Sequence, residues 1–294
     1  MKSITTYRLA LLLLGSLTLG GFAHAQSRRS VDVLVIGGGT GGTAAGIQSA
    51  RSGAKTLIVE PTPWLGGMMT AAGVSATDGN HMLPSGLWAE FRDKLYKVYG
   101  GPNRVATGWV SNTLFEPHVG DSIFKSMAAR ESKLQVLHGY VLMGILKKGN
   151  RVEGAWFKHS KSGKKLTVRA RQVVDATELG DAIALAGIPF DVGMEASSLT
   201  GEDVNVPTSN DIIQDLTYAV ILKDYGSKAD CTIVRPKNYD PREFDGSCTD
   251  YYTDKTRIQP NVDAKKMMTY GQLPNRKYMI NWPGHGNDIY LNLI

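Results

Sequence analysis

The stretch VDVLVIGGGTGGTAAG, residues 31–46, most constrains what this chain can fold into. Residues 31–36 are almost all β-branched or aliphatic, which predicts a strand buried in a parallel sheet. Small residues follow the glycines, and we expect a helix from about Gly41 to Arg51. A buried strand, a glycine turn and a helix in this order favour an α/β fold.

The glycines follow the spacing G-x-G-x-x-G, and Gly46 lies one helical turn later. In this pattern the first glycine allows a tight turn, the second lets backbone approach a diphosphate, and the third lets the helix pack closely. The helix N-terminus directs N–H groups and its positive dipole end at the phosphates. A second predicted strand, residues 55–59, ends in Glu60, where an acid accepts hydrogen bonds from a ribose. The predicted dinucleotide site is Gly37, Gly38, Gly39, Thr40, Gly41, Gly42 and Glu60.

The first 25 residues have the layout of a secretory signal peptide. A short basic start precedes an apolar run, residues 9–19, and Ala23-His24-Ala25 is a small-x-small cleavage site. A membrane anchor is the alternative, but it needs about 20 apolar residues, and this run is interrupted by glycine, serine and threonine. We expect cleavage after Ala25, a secreted or periplasmic protein, and no membrane span in the mature chain.

Composition argues against nucleic-acid binding and against a metal site. After removal of residues 1–25, the chain has 31 basic and 27 acidic residues, and this small excess is dispersed. Nucleic-acid binding requires a basic stripe, so we expect none. Cys231 and Cys248 are too few for an iron–sulfur cluster, and we predict no metal site. In an oxidising compartment the two cysteines predict a disulfide.

The middle of the chain predicts a β-meander that leads into a further buried strand. Residues 140–147 and 151–158 are joined by the turn Lys148-Gly149-Asn150, and residues 165–169 form a third strand. An apolar strand then runs into DATELGD, residues 175–181. A parallel sheet interrupted by a meander resembles flavoproteins of the glutathione-reductase type.

A second glycine pair, Gly66 and Gly67, stands in PTPWLGGMMTAAG shortly after Glu60. Glycines there would let the main chain lie flat against a ring system. The alternative is a simple turn between strand and helix. The first glycine fingerprint does not distinguish a nicotinamide cofactor from a flavin cofactor. That distinction therefore depends on this segment and on DATELGD.

Together these motifs resemble the secreted branch of the FAD-dependent oxidoreductase family, with GGGxGG near the start, LGGM after the acid and DATxxGD after the meander. Further similarities are EPH at 116–118, residues 210–226 and residues 278–294, so the resemblance covers nearly the whole mature chain. Gly180 and Asp181 belong to the motif, although Asp181 could instead N-cap a short helix over 182–186. The resemblance implies a flavoprotein that binds FAD through Gly37, Gly39, Gly42, Glu60, Gly66, Gly67, Ala176 and Thr177.

The resemblance also implies a domain organisation. It places a Rossmann-like FAD-binding domain of the glutathione-reductase type, with its meander, at 26–200, and the start of an α+β substrate domain at 201–294. Chains of this family continue beyond this length, and a late segment returns to complete the flavin site. We therefore expect an N-terminal fragment of the family's fold that retains FAD weakly or not at all and folds poorly.

No second G-x-G-x-x-G follows residue 60, which argues against a nicotinamide domain that reduces the flavin. We expect a small-molecule substrate to exchange a hydride with the flavin directly, and the electron acceptor is unknown. Oxidation needs a base, for which His81 and His118 are the candidates and His285 is a further one. Pro117 also fits the first position of a helix, which would explain EPH structurally. The alternatives are an NAD-dependent dehydrogenase and a non-catalytic or degenerate flavin-binding protein.

Overall fold

The computed structural model describes residues 27–79, 81–249 and 262–281, together with the backbone of residues 288 and 289. The predicted signal peptide and the candidate base His285 lie outside these residues. The strands are β1 (Ser27–Ile36), β2 (Thr56–Glu60), β3 (Leu134–His138), β4 (Tyr140–Lys148), β5 (Arg151–His159), β6 (Lys165–Asp175), β7 (Leu216–Thr217), β8 (Val220–Lys223), β9 (Gln272–Leu273), β10 (Lys277–Ile280) and β11 (Asp288–Ile289). The helices are α1 (Thr40–Arg51), α2 (Gly86–Tyr99), α3 (Pro117–Ala129), α4 (Asp181–Leu185), α5 (Ser197–Thr200) and α6 (Ala264–Met268), with 3₁₀ helices at Gly67–Met69, Pro102–Arg104 and Pro241–Phe244.

Six strands form the central sheet in the order β3-β2-β1-β6-β5-β4. The pairs β3–β2, β2–β1 and β1–β6 are parallel, whereas β6–β5 and β5–β4 are antiparallel. Every residue of β2 is buried, as expected for a strand covered on both faces. The predicted α/β class, with a meander beside a parallel sheet, is therefore confirmed.

Strand β6 unites two strands that the sequence predicts separately. Its first part, residues 165–169, pairs antiparallel with β5 and completes the meander. The same strand continues alongside β1 until Asp175 lies opposite Ile36. The predicted division is wrong because Ala170 pairs with Val31 and carries the ladder across the gap. As a result, DATELGD begins at the same sheet edge as the first glycine turn.

Helix α1 packs on the sheet through a small residue, and aromatic rings form a core beside α2 and α3. Helix α1 packs on β1 and β2, and a methyl group at Gly46 would lie only 2.4 Å from Ile58 Cδ1. Between α2 and α3, the Phe91 ring stacks on Phe124 at 4.4 Å and meets Phe115 edge-on at 5.4 Å. Helix α3 begins at Pro117, which confirms the helix predicted there.

Residues beyond 200 form shorter elements. Strands β8, β10 and β9 make a small antiparallel sheet, and β11 pairs with β7. Buried Leu273 and Met279 pack on Leu114, which joins this sheet to the preceding part of the chain. Over the ranges described, no helix is both long and apolar enough to cross a membrane.

The disulfide predicted between Cys231 and Cys248 is not formed in the structure. Cys231 is exposed on irregular backbone, whereas Cys248 is 4% exposed and follows the 3₁₀ helix Pro241–Phe244. A disulfide requires Cα atoms within about 7 Å, and neither cysteine count nor compartment fixes that approach. The prediction was wrong on this point.

Candidate cofactor site

The first glycine turn lies at the carboxyl end of β1. The Gly37 N–H donates to the Val59 carbonyl at 2.9 Å, and Gly37 has a φ of 98°. A methyl group at Gly37 would lie 2.3 Å from the Ala176 carbonyl oxygen, and one at Gly42 would lie 2.1 Å from the Gly37 carbonyl oxygen. Both clashes are with backbone atoms, which cannot rotate away, so only glycine fits at these two positions.

Helix α1 begins directly after this turn, with Gly39 as its N-cap and no acidic residue in its first turn. The Thr43 N–H donates to the Gly39 carbonyl at 2.8 Å, which leaves the N–H groups of Thr40, Gly41 and Gly42 without a partner inside the helix. These groups and the positive end of the helix dipole form a site suited to a diphosphate.

Glu60 ends β2 and is 7% exposed. Its Oε2 accepts the Gly38 N–H at 2.6 Å, and its Oε1 accepts the Thr62 N–H at 2.8 Å. These bonds hold the carboxylate beside the glycine turn. Because each carboxylate oxygen has two acceptor sites, Glu60 can also accept a hydrogen bond from a ribose hydroxyl.

The second glycine pair forms one backbone surface with the first turn. The Gly66 N–H donates to the Gly38 carbonyl at 2.8 Å, and the Thr40 hydroxyl donates to the Gly66 carbonyl at 2.8 Å. Gly66 and Gly67 have φ values of 106° and 51°, and a methyl group at Gly67 would lie 2.9 Å from Gly39 Cα. The pair is therefore more than a simple turn between strand and helix.

The DATELGD segment forms a third wall of the site. The Ala176 N–H donates to the last carbonyl of β1 at 2.9 Å. The Thr177 hydroxyl donates to Asp175 Oδ1 at 2.7 Å and accepts the Asp181 N–H at 2.8 Å. Thr177 thus caps α4, Gly180 occupies the N-cap position, and Asp181 is the first helical residue. The alternative role of Asp181 as the N-cap is wrong because its backbone is already helical.

These three segments line a cavity of about 550 Å³. The side near Glu60 is lined by Pro61, Thr62, Tyr140, Val141 and Leu142, since β3 pairs with β2 and ends just before Tyr140. The side near the second glycine pair is lined by Gly67, Met68, Ala71 and Ala72. The first glycine turn lies between these two sides, because Gly38 bonds to Glu60 and Gly39 approaches Gly67.

Most residues predicted to bind the cofactor meet at this cavity. Gly66 donates to Gly38, and neither of the two lines the cavity, whereas Gly41 faces open space with no atom within 4 Å of an added methyl. The predicted residues that line the cavity are Gly37, Gly39, Glu60, Gly67, Ala176, Thr177 and Asp181.

Neither candidate base lines the cavity. His81 Nδ1 lies 3.4 Å from Asn112 Nδ2. His118 belongs to the first turn of α3, and its carbonyl accepts the Ser122 hydroxyl at 2.8 Å. Their catalytic role stays a prediction.

The sequence prediction omits several residues that line the cavity, among them Met68, Tyr140, Phe157 and Glu178. Tyr140 and Phe157 belong to the meander, and alternation along a strand does not show which face meets a ligand. Glu178 had a signal, because it is the acid directly after Thr177 in a motif already assigned to the site.

The EPH motif contributes a buried carboxylate away from the cavity. Glu116 is 5% exposed and accepts hydrogen bonds from the Tyr99 hydroxyl at 3.1 Å, from Asn275 Nδ2 at 2.7 Å and from Lys277 Nζ. Burial raises the pKa of Glu116, but the bonds from Lys277 and Asn275 outweigh it and leave that pKa below its ordinary value. Burial also raises the pKa of Tyr99. Glu116 therefore joins α3 to β10.

The cavity fits an adenine dinucleotide on three structural grounds. A methyl group has no room at Gly37 or Gly42, the N–H groups of the first turn of α1 have no partner inside the helix, and an acid with spare acceptor sites stands at the end of β2. The backbone of Gly66 and Gly67 adds a surface against which a flat ring system can lie.

Comparisons with known proteins agree with this geometry. The family model described as "FAD dependent oxidoreductase" matches residues 32–293. The digeranylgeranylglycerophospholipid reductase of Picrophilus torridus is 28% identical over 208 residues, which are 66% of this chain and 47% of that protein. The chain therefore spans about half the length of this curated relative.

Two solved structures match part of this chain. A geranylgeranyl bacteriochlorophyll reductase-like protein from Thermoplasma acidophilum matches at 21% identity and a TM-score of 0.41, covering 56% of this chain and 44% of its own. THI4 from Thermovibrio ammonificans matches at 20% identity and a TM-score of 0.41, and the match covers 66% of this chain and 75% of that one. With the family model matched from the first sheet strand almost to the last residue, the chain belongs to the FAD-dependent oxidoreductase family.

Proposed function

We propose that this chain is part of an FAD-dependent oxidoreductase in which a small-molecule substrate exchanges a hydride with the flavin directly. The observation that carries the proposal is the cavity beside Gly39, the N-cap of α1, with both Glu60 and Gly67 in its lining. The adjacent first turn of α1 offers N–H donors to phosphate, and Glu60 in the cavity wall offers acceptors to ribose.

Each part of FAD has a matching part of the cavity. The N–H groups of Thr40, Gly41 and Gly42 would hold the diphosphate, and Glu60 would accept a ribose hydroxyl. The adenosine would then lie on the side of Tyr140, which leaves the side of Gly67 for the flavin. Bound FAD supplies the hydride chemistry, while the protein positions it and shapes access.

Direct reaction with the substrate is supported by the single dinucleotide fingerprint in the sequence. Oxidation of an alcohol or amine would also need a base, and we retain His81 and His118 as candidates. The relative from Picrophilus torridus is named a reductase, so reduction of the substrate must be tested beside oxidation. We further propose export, on the basis of residues 1–25.

The proposal is tested by loading the purified chain with FAD and mixing it anaerobically with NADH, with NADPH, and with panels of small alcohols and amines. We expect the nicotinamides to leave the visible flavin absorbance unchanged and a small-molecule donor to bleach it. In the reverse direction, flavin reduced by light should be reoxidised by candidate unsaturated acceptors. Rapid stoichiometric bleaching by NADH, or a chain without affinity for FAD, would contradict the proposal.

A further inference from the structure

Glu178 stands between the two glycine segments of the cavity. Its Oε1 lies 2.8 Å from the position that a Cβ would take at Gly39 and 2.6 Å from the corresponding position at Gly67. The side chain is exposed and lines the cavity. Among the residues that the structure describes, it has no hydrogen-bond or ion-pair partner, so its carboxylate is available to a ligand.

The carboxylate lies beside the phosphate position rather than in it. Within the described ranges, the N–H groups of Thr40, Gly41 and Gly42 have no carboxylate partner and no acidic side chain caps α1. If Glu178 occupied the phosphate position, it would accept hydrogen bonds from these groups. The diphosphate position therefore stays open, and Glu178 marks the passage from that position toward Gly67.

We propose that Glu178 is a positioning residue that accepts hydrogen bonds from the ribityl hydroxyls of bound FAD. The ribityl group is the polyol chain that joins the diphosphate to the flavin ring, and Glu178 stands between the protein surfaces suited to those two parts. A carboxylate offers only acceptors, and hydroxyl groups are its natural donors. The inference rests on the proposed placement of FAD, but it is independent of the substrate.

Electrostatics suggests a competing effect that the test must separate. A carboxylate near a diphosphate is repelled by it, and this repulsion would weaken binding of any diphosphate ligand. Acceptance of ribityl hydroxyls would instead favour FAD and leave ADP unaffected, because ADP contains the diphosphate but no ribityl group. The two effects change FAD affinity in opposite directions.

The experiment compares wild type with Glu178→Ala and Glu178→Gln. Dissociation constants are measured for FAD by flavin fluorescence, for ADP by competition, and for an FAD analogue with a deoxygenated ribityl chain. Glu202→Gln removes the same charge from an exposed position outside the cavity and is the matched control. Because Glu178→Gln keeps the shape and one acceptor oxygen, it covers the case in which the alanine variant folds poorly.

We expect Glu178→Ala to weaken FAD binding about tenfold to a hundredfold, the range for a hydrogen bond to a charged group. Its ADP affinity should stay within about twofold of wild type, since no ribityl contact is involved. Glu178→Gln should show a smaller loss, Glu202→Gln none, and the deoxygenated analogue should bind wild type and Glu178→Ala alike.

Four results would overturn the inference. Tighter binding of both FAD and ADP by the variants would show repulsion, and equal loss of both would show collapse of the loop. Unchanged FAD affinity in both variants would contradict the role of Glu178 while leaving the proposed function intact. A wild-type chain that binds neither ligand would contradict the proposed site and this inference with it.

Discussion

Gly41 and Gly42 are neighbours in the first turn of α1, but the space available for a side chain differs between them. A methyl group at Gly42 would lie 2.1 Å from the Gly37 carbonyl oxygen, whereas one at Gly41 would have no atom within 4 Å. The contact at Gly42 is with backbone, so relief requires the turn itself to open. The unpaired N–H groups would then no longer converge on the diphosphate position.

Substitution of these two glycines gives a matched pair of variants. We expect Gly42→Ala to lower FAD affinity more than tenfold and to destabilise the fold by about 1–3 kcal/mol through overpacking. Gly41→Ala should bind FAD as wild type does and be slightly more stable, because alanine favours a helix. Flavin titration and urea unfolding measure both effects. Equal FAD affinities for the two variants would refute this reading of the turn.

At the scale of elements, the position of α1 depends on how closely it approaches β2. Gly46 lies in the helix interior, where glycine costs about 1 kcal/mol relative to alanine. Glycine is nevertheless needed at this position, because a methyl group would lie 2.4 Å from Ile58 Cδ1 and 2.6 Å from Ile58 Cγ1. Close packing of α1 keeps its N-terminus at the carboxyl edge of the sheet.

A double-mutant cycle tests this contact. Gly46→Ala should destabilise the protein by about 1–3 kcal/mol despite the better helix propensity of alanine. In an Ile58→Ala background, the clash is gone and the same substitution should be neutral or stabilising. Urea unfolding of the four proteins gives the coupling energy. The prediction fails if Gly46→Ala costs the same in both backgrounds.

Local patterns predicted the elements well and their pairing less well. The buried run ending at Ile36, the acid at Glu60 and the proline at Pro117 each carry a local signal, and each marks an observed boundary. The continuity of β6 through Ala170 depends on pairing with Val31, which lies far away in sequence. Such pairings are set by tertiary contacts, and local sequence does not encode them.

At the scale of the whole molecule, the cavity draws residues from β2, the second glycine pair, the meander and DATELGD. Motif spacing identified the members with strict backbone requirements, such as Gly37. It did not identify Tyr140 or Phe157, because an apolar side chain on a strand serves a core and a ligand equally well. The predicted Cys231–Cys248 disulfide was wrong for another reason, since spacing in the sequence does not fix the distance between two side chains.

One long-range contact ties the end of the described chain to its first half. Glu116, at the start of α3, accepts hydrogen bonds from Asn275, which lies just before β10, and from Lys277, the first residue of β10. Glu116 is 5% exposed, so removal of Lys277 would leave a buried carboxylate with less compensation. We expect Lys277→Met to cost about 1–3 kcal/mol, and Lys228→Met, at an exposed lysine, to cost little.

The pKa of Glu116 gives this contact a dependence on pH. Since the folded-state pKa lies below the ordinary value of 4.5, the folded protein binds fewer protons here than the unfolded chain. The stabilisation is present above the ordinary pKa and is lost as the pH falls through the folded pKa. Urea unfolding from about pH 6 to pH 3 should therefore show a steeper loss for wild type than for Glu116→Gln, which cannot titrate. Parallel curves for the two proteins would mean that the carboxylate contributes no net stabilisation, and that β10 is held instead by the apolar contacts of Leu273 and Met279 with Leu114.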